Sequence, residues 1–430
     1  MFYGDLFRNR VLGAAMAFLL LVSLFFFFRE DQRVDPLAVV EHEEDHMGTI
    51  HRQQQEPNCP SYFAWIHEDL APWSESGITR EHLDEARRKG DFRLVIVDGK
   101  LYFERIQECI QTRDEITLQG LLLLLEKFPG MIPDMEMVFV CNDFPQVPKD
   151  EYRSKPPPPV FSYCTSRFGG HFDILFPDWS FWGWPQVKIR PWEQESVEIF
   201  DGANETDWFE REAIAYWKGN LWVMTPVREE LLQCNNTQYN VVVYYLDWAK
   251  EEAEGFKTSS LSKQCHTRYK VYAEGRGWSA SLKYLISCGS TILHIQPDFW
   301  EFFARSWLPY VEYWPISREN MCSSIKHAVD WGNAHPFEAS AIGKRGQAFL
   351  KEQLTMDHVY SYMLHVMQAY AKLQRFKPEV PKGVQPWRPN PGENFGNVTA
   401  GQPCNMPPRD QVMVSRFTAS QVAGYWQKCP

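Results

Sequence analysis

After residue 58 the chain alternates between two hydrophobic patterns, short runs of β-branched and aromatic residues and longer runs in which apolar residues recur at helical spacing. The short runs predict buried strands. They cover residues 92–97, 135–141, 241–246, 270–273 and 291–295. Asp98 and Gly99 follow the first run and predict a hairpin to residues 100–103, because this dipeptide favours a tight turn between strands.

The longer runs predict helices. Residues 117–128 are almost continuously apolar, and residues 357–373 carry an apolar stripe at helical spacing. Thr79 is expected to cap a helix that starts behind it. Residues 280–288 and 299–307 are expected to be helical as well, whereas residues 210–217 fit a helix or a strand.

The segment from residue 270 to residue 307 therefore predicts a βαβα unit, the repeat of a doubly wound parallel sheet. Gly275 and Gly277 interrupt the chain after the first strand, and Ser279 is placed to cap the helix. Ligands bind at the carboxyl ends of such strands, where Arg276 and Lys283 add positive charge. A diphosphate suits this position, and a plain tight turn is the alternative.

An apolar segment precedes the globular part. Residues 11–28 are eighteen consecutive uncharged residues, and Arg8 and Arg10 come before them. This pattern predicts a single signal anchor with residues 1–10 cytoplasmic and the remainder lumenal, and a cleaved signal peptide is the alternative. The acidic residues 29–57 predict a disordered stem.

Composition agrees with a secretory protein. The net charge is −11 with no basic, aromatic-interleaved stretch, which argues against a nucleic-acid partner. Ten cysteines imply disulfides, and the sequons at Asn204, Asn235 and Asn397 imply glycosylation. The short span favours a thin membrane, so we expect a single-pass Golgi protein, with the endoplasmic reticulum as the other possibility.

Residues 177–192 contain four tryptophans between prolines and glycines. Indole rings in an exposed loop bind the apolar faces of sugars, so Trp179, Trp182 and Trp184 are candidate acceptor contacts. An aromatic plug between two domains is the alternative.

Three segments together resemble a known family. Residues 132–148 read IPDMEMVFVCNDFPQVP, residues 177–182 read PDWSFW, and residues 269–315 contain CGS, FF, LP and YWP in order. In these motifs the chain resembles the Rumi-type protein O-glucosyltransferases, a family that also contains the fungal capsule-associated xylosyltransferases.

The resemblance implies an α/β fold of the GT-B type, in which two Rossmann-like domains face a cleft. Here these would be residues 58–210 and 211–376, followed by an extended tail at 377–430. It implies an inverting transfer of glucose or xylose from a UDP-sugar to a hydroxyl of a glycoprotein or polysaccharide, without a metal or other cofactor. The absence of an ER-retention signal at the C-terminus leaves the acceptor open.

The resemblance also implies roles for single residues. Asp114 matches the position of the general base, although from the sequence alone it would be a helix cap. Asp143 is expected near the acceptor. Cys265 and Cys288 look like a bridged pair of the animal branch. The donor-binding positions carried over are Lys218, Gly219, Asn220, Glu274, Gly275, Arg276, Gly277, Trp278, Ser279 and Lys283.

One of these positions departs from the family. Glu274 stands where animal members carry an arginine, and a carboxylate beside a diphosphate would repel it. Either Arg276 replaces that arginine, or Glu274 turns toward a ribose hydroxyl.

Two other functions stay open at this point. A glycoside hydrolase needs a pair of carboxylates in an aromatic cleft, for which Asp143 and Asp178 are candidates. A non-catalytic glycan-binding protein would need the aromatic residues only.

Overall fold

A computed structural model describes residues 58–223, 225–389 and 396–409. The predicted cytoplasmic tail, membrane span and stem lie outside these residues. None of the helices that are described combines the length and the apolar content needed to cross a membrane.

The described chain contains helices and strands throughout. The α-helices α1 to α10 are Trp65–Asp69, Arg80–Lys89, Arg113–Lys127, Trp192–Asn204, Pro226–Gln233, Trp248–Ala253, Leu282–Ser287, Met321–Ala334, Pro336–Gln353 and Met356–Leu373. The strands β1 to β12 are Phe92–Val97, Lys100–Arg105, Met135–Phe139, Val160–Ser162, Thr165–Ser166, Ile174–Leu175, Glu212–Gly219, Val241–Tyr245, Thr267–Tyr272, Thr291–Ile295, Phe299–Trp300 and Trp314–Ile316.

The first sheet is mixed and has the order β2-β1-β3-β4-β6. β1 runs antiparallel to β2 and β3, whereas β3, β4 and β6 are parallel. The predicted hairpin is confirmed, since Asp98 and Gly99 both have positive φ, 52° and 69°. The hairpin edge is where this sheet departs from a purely parallel one.

The second sheet is parallel throughout and has the order β12-β10-β9-β7-β8. In chain order this is the arrangement 2-1-3-4-5 of doubly wound proteins. The winding direction reverses between β7 and β9, which leaves a crevice outside the carboxyl ends of these two strands. Ligands of such sheets bind at this switch point.

Helix α10 packs against α3, and its apolar stripe is buried as the sequence predicts, with Tyr362 and Tyr370 fully covered. The chain beyond α10 then returns to the first sheet. The backbone N–H of Trp387 donates to the carbonyl of Leu101, and Cys404 forms a disulfide with Cys59.

Four disulfides are described, and one of them was predicted. Cys265 and Cys288 are bonded, which confirms the pair implied by the resemblance. The others join Cys59 to Cys404, Cys109 to Cys141 and Cys234 to Cys322.

Three local predictions are settled by the structure. The helix predicted at residues 299–307 is wrong, because Phe299 and Trp300 pair as β11 with β5 and a 3₁₀ turn follows at Ala304–Ser306. Ser279 is not a helix cap, since α7 begins only at Leu282 and Ser281 precedes it. Residues 210–217, left open between helix and strand, lie largely in the strand β7.

Candidate functional site

A cavity of about 420 Å³ opens at the switch point of the parallel sheet, and we call it the switch-point cavity. The end of β7 contributes Lys218, Gly219 and Asn220 to its wall, and the loop after β9 contributes Gly275 and Arg276. The glycine loops predicted from the sequence thus meet at one place, because parallel strands end at the same edge.

The opposite wall comes from the first half of the chain. Gln111 and Arg113 at the start of α3, Asp143 after β3, and the rings of Trp179 and Trp184 line the cavity. The predicted acceptor contacts Asp143, Trp179 and Trp184 therefore face the predicted donor loops across one cavity.

The cavity is strongly cationic. Among its described lining residues only Asp143 is acidic, whereas five are basic. These are Arg113, Lys218, Arg228, Lys270 and Arg276. A group with more than one negative charge is the ligand that such a wall favours.

Arg228 ties the two donor loops together, and the sequence analysis missed it. Its guanidinium donates to the backbone carbonyls of Glu274 at 3.0 Å and Asn220 at 2.8 Å, and to the hydroxyl of Ser279 at 3.3 Å. Burial lowers the pKa of Arg228 to about 10, so the side chain stays charged at neutral pH. Arg228 lies in the first turn of α5, away from any glycine, so the glycine-loop pattern of the sequence does not select it as a cavity residue.

Lys270 is a second missed cation. It lies in β9, fully buried, with its ammonium 4.4 Å from the centre of the Tyr216 ring. Burial and the neighbouring Arg211 lower the pKa of Lys270 to about 7, so part of its charge is lost at neutral pH. A lysine within a strand is normally solvent-facing, so the strand pattern alone does not mark Lys270 as a cavity residue.

Gly277 makes the closest contact between the two walls. Its φ is +67°, and a Cβ at this position would lie 1.7 Å from the carbonyl oxygen of Asp143. Only glycine allows the loop after β9 to touch the loop after β3 in this way. Gly277 itself shapes the cavity without lining it, whereas Trp278 and Ser279 line it.

Glu274 is not among the residues that line the cavity, and its assignment as a donor residue stays a prediction. Its carboxylate is buried, pairs with Arg318 at 3.0 Å and accepts the N–H of Asp298 at 2.8 Å. Burial raises the pKa of Glu274 to about 7. The carboxylate is turned away from the lining residues, so neither repulsion of a diphosphate nor a ribose contact follows from it.

Lys283 and Trp182 are also outside the cavity lining. The ammonium of Lys283 is buried against the hydroxyl of Ser180 at 2.5 Å and lies 3.9 Å from the carboxylate of Asp178. The indole of Trp182 packs on Gly120 and donates to Tyr360 at 3.1 Å. Lys283 thus joins α7 to the segment that contains Ser180, whereas Trp182 packs against α3 and α10.

Asp114 is buried and lies outside the cavity lining. Only 1% of the residue is exposed, and Arg105 donates to its Oδ2 through Nε at 2.8 Å and through Nη2 at 2.6 Å. The helix-cap alternative is wrong, because α3 begins at Arg113 and Thr112 holds the N-cap position. The role of Asp114 as a base stays a prediction.

Two other carboxylates belong to this wall or to the segment that leads into it. Asp143 accepts from Arg113 at 2.8 Å and lies 3.6 Å from Arg276. Glu108, whose side chain is 87% exposed, precedes Cys109. The bridge from Cys109 to Cys141 ties its loop to the segment before Asp143. The disulfide between Cys109 and Cys141 is the feature that draws attention to Glu108. The count of ten cysteines in the sequence does not reveal this pairing.

Of the two carboxylates suggested for a hydrolase, only Asp143 is among the cavity-lining residues. Asp143 lines the cavity, whereas Asp178 is 2% exposed, accepts from the backbone N–H and the hydroxyl of Ser180 and accepts from the indole of Trp278 at 3.2 Å.

Two clusters within the described chain have the residue types of a metal site. Cys59, His365 and Cys404 form one, and Asp91, Cys109 and Cys141 form the other. In each cluster the two cysteines are bonded to one another, so no thiolate is offered to a metal. That the reaction needs no metal stays a prediction.

Comparison with known proteins gives a consistent result. The sequence profile described as Glycosyl transferase family 90 matches residues 54–419. Human "Protein O-glucosyltransferase 1" is 29% identical over 344 residues, which cover 76% of this chain and 83% of that protein. "O-glucosyltransferase rumi" of Drosophila melanogaster is 25% identical over 345 residues, which cover 76% and 80%.

Among solved structures, the cyanobacterial protein in "Crystal structure of Anabaena Alr3699/HepE in complex with UDP and glucose" superposes with a TM-score of 0.27. It is 9% identical and covers 40% of this chain and 52% of that one. Similarity at this level supports no inference about fold or ligand.

Proposed function

The chain belongs to glycosyl transferase family 90, and from this premise we propose that it transfers glucose or xylose from a UDP-sugar to a hydroxyl group of a protein acceptor. Glucose has the support of the relatives, which are named as O-glucosyltransferases. The donor would occupy the switch-point cavity and the acceptor would approach from the side of Trp179 and Trp184.

The observation that carries this proposal is the charge of the cavity. Five basic residues line it, among them Lys218 at the end of β7 and Arg276 in the loop after β9, where two glycine loops permit close backbone approach. A UDP-sugar places two phosphates between its nucleoside and the reacting carbon. Fixed cations stabilise the diphosphate as its charge grows during transfer.

In the transfer step, the acceptor oxygen attacks the anomeric carbon from the face opposite the diphosphate. The bond between that carbon and the phosphate oxygen breaks, and UDP leaves with the electron pair. A carboxylate takes the proton of the acceptor hydroxyl, and the configuration at the carbon is inverted. We assign the stabilisation of the leaving group to Arg276 and Lys218, which both line the cavity.

For the base we favour Glu108 over Asp114. A base must reach the acceptor hydroxyl and have a free lone pair. Asp114 is buried against Arg105, and Asp143 is held between Arg113 and Arg276. The carboxylate of Glu108 is exposed, with Arg105 no closer than 3.6 Å, in the loop that leads to Gln111 in the cavity wall.

We further propose the finer features that the sequence predicts. The two sheets on either side of the switch-point cavity support a GT-B arrangement. The apolar residues 11–28 support a single membrane anchor, with the disulfide-bonded part in the Golgi lumen. The chemistry above needs no metal or other cofactor, because protein cations balance the diphosphate.

The test is a donor screen combined with calorimetry. The chain from residue 30 onward is titrated with UDP and then assayed with UDP-glucose, UDP-xylose and UDP-galactose on a protein acceptor. We expect UDP to bind and one donor to be turned over. Absence of UDP binding overturns the proposal, and binding without turnover of any donor favours a glycan-binding protein.

The base is tested by three variants of equal shape, Glu108→Gln, Asp114→Asn and Asp143→Asn. We expect Glu108→Gln to lower single-turnover transfer by roughly 10²–10⁴-fold with UDP affinity unchanged, which is the usual effect of removing a positioned base. The same loss in Asp114→Asn, at an unchanged melting temperature, would restore the assignment made from the sequence.

A further inference from the structure

A second cavity of about 670 Å³ shares no lining residue with the switch-point cavity. Its walls come from Lys149 and from residues 65–72, 165–173 and 300–313. Phe144 and Phe299, whose rings lie 5.5 Å apart, are the sequence neighbours of Asp143 in the lining of the first cavity and of Trp300 in the lining of the second.

The wall of the second cavity is held in place by strand pairing between distant segments. Phe299 and Trp300 of β11 pair antiparallel with Ser166 and Thr165 of β5. The N–H of Arg167 donates to the carbonyl of Asp298 at 2.7 Å, which continues the pairing. Backbone hydrogen bonds therefore fix the side chains that these strands present.

Aromatic rings dominate the lining. They are Trp65, Phe168, Phe172, Trp300, Trp307 and Tyr313. Phe168 is 75% exposed, an uncommon state for a phenylalanine, and Trp300 is half-buried. Flat rings at the rim and wall of a polar cavity suit the apolar faces of sugar rings.

The charges of the second cavity balance. Its lining has three cationic and three acidic residues, unlike the cationic switch-point cavity. Arg305 and Asp69 form a bidentate pair with both contacts at 2.6 Å. Asp173 is saturated by the N–H groups of Gln146 and Val147 and by the hydroxyl of Ser162. A neutral ligand fits this balance better than an anion such as a nucleotide.

Polar groups among the lining residues are available for a ligand. Trp307 Nε1 and His171 Nδ1 have no hydrogen-bond partner among the described residues, whereas the guanidinium of Arg305 is engaged by Asp69 and by the hydroxyl of Tyr362. The side chain of Arg305 is 8% exposed and Trp307 is 4% exposed, so bulk water reaches them poorly. Buried N–H groups need an acceptor, and sugar hydroxyl oxygens are acceptors.

We propose that the second cavity is a binding site for a neutral oligosaccharide of about two or three sugar residues, a size that a cavity in the usual ligand range accommodates. The rings of Phe168 and Trp300 stack on the sugar faces, and the indole N–H of Trp307 donates to a hydroxyl oxygen. This goes beyond sugar transfer, since it gives the protein a way to hold a glycan of its acceptor or matrix apart from the reacting hydroxyl.

The experiment titrates the full chain with cellotriose, xylotriose, laminaritriose and mannotriose by calorimetry, and compares Phe168→Ala with Phe337→Ala. These two phenylalanines are 75% and 74% exposed, and Phe337 lines neither cavity. We expect at least one trisaccharide to bind, Phe168→Ala to weaken it about tenfold or more, and Phe337→Ala to leave it unchanged. Trp300→Ala should weaken it as well.

Several results would overturn the site. These are no binding of any of the four trisaccharides, equal affinity in the Phe168→Ala, Trp300→Ala and Phe337→Ala proteins, or competition by UDP, which would move the sugar to the switch-point cavity. UDP affinity is measured on the same preparations. If the protein binds UDP but none of the trisaccharides, only this site is rejected. If the protein does not bind UDP, the proposed function is rejected.

Discussion

Arg276 has the most exposed side chain among the cations of the switch-point cavity, at 47%, and lies 3.6 Å from Asp143. It can therefore move toward a ligand, whereas Arg228 and Arg113 are held by carbonyls and carboxylates. We expect Arg276→Ala to raise the donor KM and lower kcat, with a loss of about 2 kcal/mol in transition-state stabilisation, because charge on the leaving diphosphate is no longer offset.

Arg190→Ala is the matched control for this substitution. Arg190 has a 45% exposed side chain, pairs with Glu195 and Glu198, and does not line the cavity. Its kinetics should equal those of the wild type. If both variants behave alike in a steady-state assay over donor concentration, the offsetting charge comes from Lys218 or another residue.

Glu274 gives a prediction about pH. Burial raises its pKa to about 7 although Arg318 is nearby, so the folded protein holds this proton more tightly than the unfolded chain does. Stability from this group is complete below the unfolded pKa near 4.5 and is lost as pH rises through about 7. Glu274→Gln, which cannot ionise, should therefore lose less stability than the wild type between pH 5 and pH 8, by up to about 3 kcal/mol.

The measurement is denaturant unfolding of both proteins at the two pH values. The difference between the two proteins removes the contributions of titratable groups that both contain. One such group is His294, because burial lowers its pKa to about 3. Parallel pH profiles for the two proteins would contradict the prediction.

At the level of single residues, the sequence located the loops but not the direction of every side chain. Lys218, Gly219, Asn220 and Arg276 lie where they were expected. Glu274 and Lys283 do not, because each is turned away by a partner far along the chain, Arg318 in one case and Asp178 in the other. Such partners are set by tertiary packing, which a single sequence does not display.

Among the structural elements, the contact between the loops after β9 and β3 depends on Gly277. A Cβ there would overlap the carbonyl oxygen of Asp143, so one loop has to shift. We expect Gly277→Ala to cost several kcal/mol of stability, or to lower UDP affinity if the loops separate instead. Urea unfolding and UDP titration measure the two effects.

Gly99→Ala separates strain from contact in this experiment. Gly99 has φ +69°, nearly the value of Gly277, but no atom lies within 4 Å of its hypothetical Cβ. Gly99→Ala should lower the free energy of unfolding by only about 1–2 kcal/mol, which is the cost of a left-handed backbone conformation for a residue with a Cβ. Equal losses in the two variants would mean that the contact with Asp143 contributes nothing.

The bridge between Cys265 and Cys288 joins the start of β9 to the end of α7, and Cys288 lines the switch-point cavity. Replacing both cysteines by serine should cost about 3 kcal/mol by loop entropy and should also weaken UDP binding. Removing Cys234 and Cys322, whose loop of 88 residues is longer, should cost about 4.6 kcal/mol and leave UDP affinity unchanged. Unchanged UDP affinity in the first variant would contradict the role of this bridge.

The helix predicted at residues 299–307 is replaced by a strand because of a contact with a distant part of the chain. Its aromatic residues have no clear period, and the deciding interaction is the pairing of Phe299 and Trp300 with β5. This pairing spans more than a hundred residues, so local propensity had no access to it. The same segment forms the wall of the second cavity.

For the whole molecule, the three sequons can be compared. Asn204, Asn235 and Asn397 are all exposed, but the amide of Asn235 bonds both the N–H and the carbonyl of Val243. If the described chain is lumenal, we expect glycans on Asn204 and Asn397 and little on Asn235. Enzymatic deglycosylation in ¹⁸O-water followed by peptide mass analysis reads each site, and an unmodified chain would argue against a lumenal location.

The sequence predicted the parallel second sheet well, because β9, α7 and β10 follow one another with clear punctuation. The first sheet was harder to predict from the sequence. Its antiparallel edge depends on the β1–β2 hairpin and on the choice of β3 as the other neighbour of β1. The disulfide pattern was beyond reach apart from the pair known through resemblance, since cysteine counts do not fix pairing.

The bond between Cys59 and Cys404 has a mechanical consequence. It closes a ring of chain with a sequence separation of 345, and beside it the N–H of Cys59 donates to the carbonyl of Asn405. A pull on the two chain ends would pass from one cysteine directly to the other, and the residues between them would bear no tension. Reduction of this bond alone would leave the loops closed by Cys109–Cys141 and Cys234–Cys322 intact, so the hidden length released, at roughly 3.5 Å per residue, would be on the order of 800 Å in a force–extension trace.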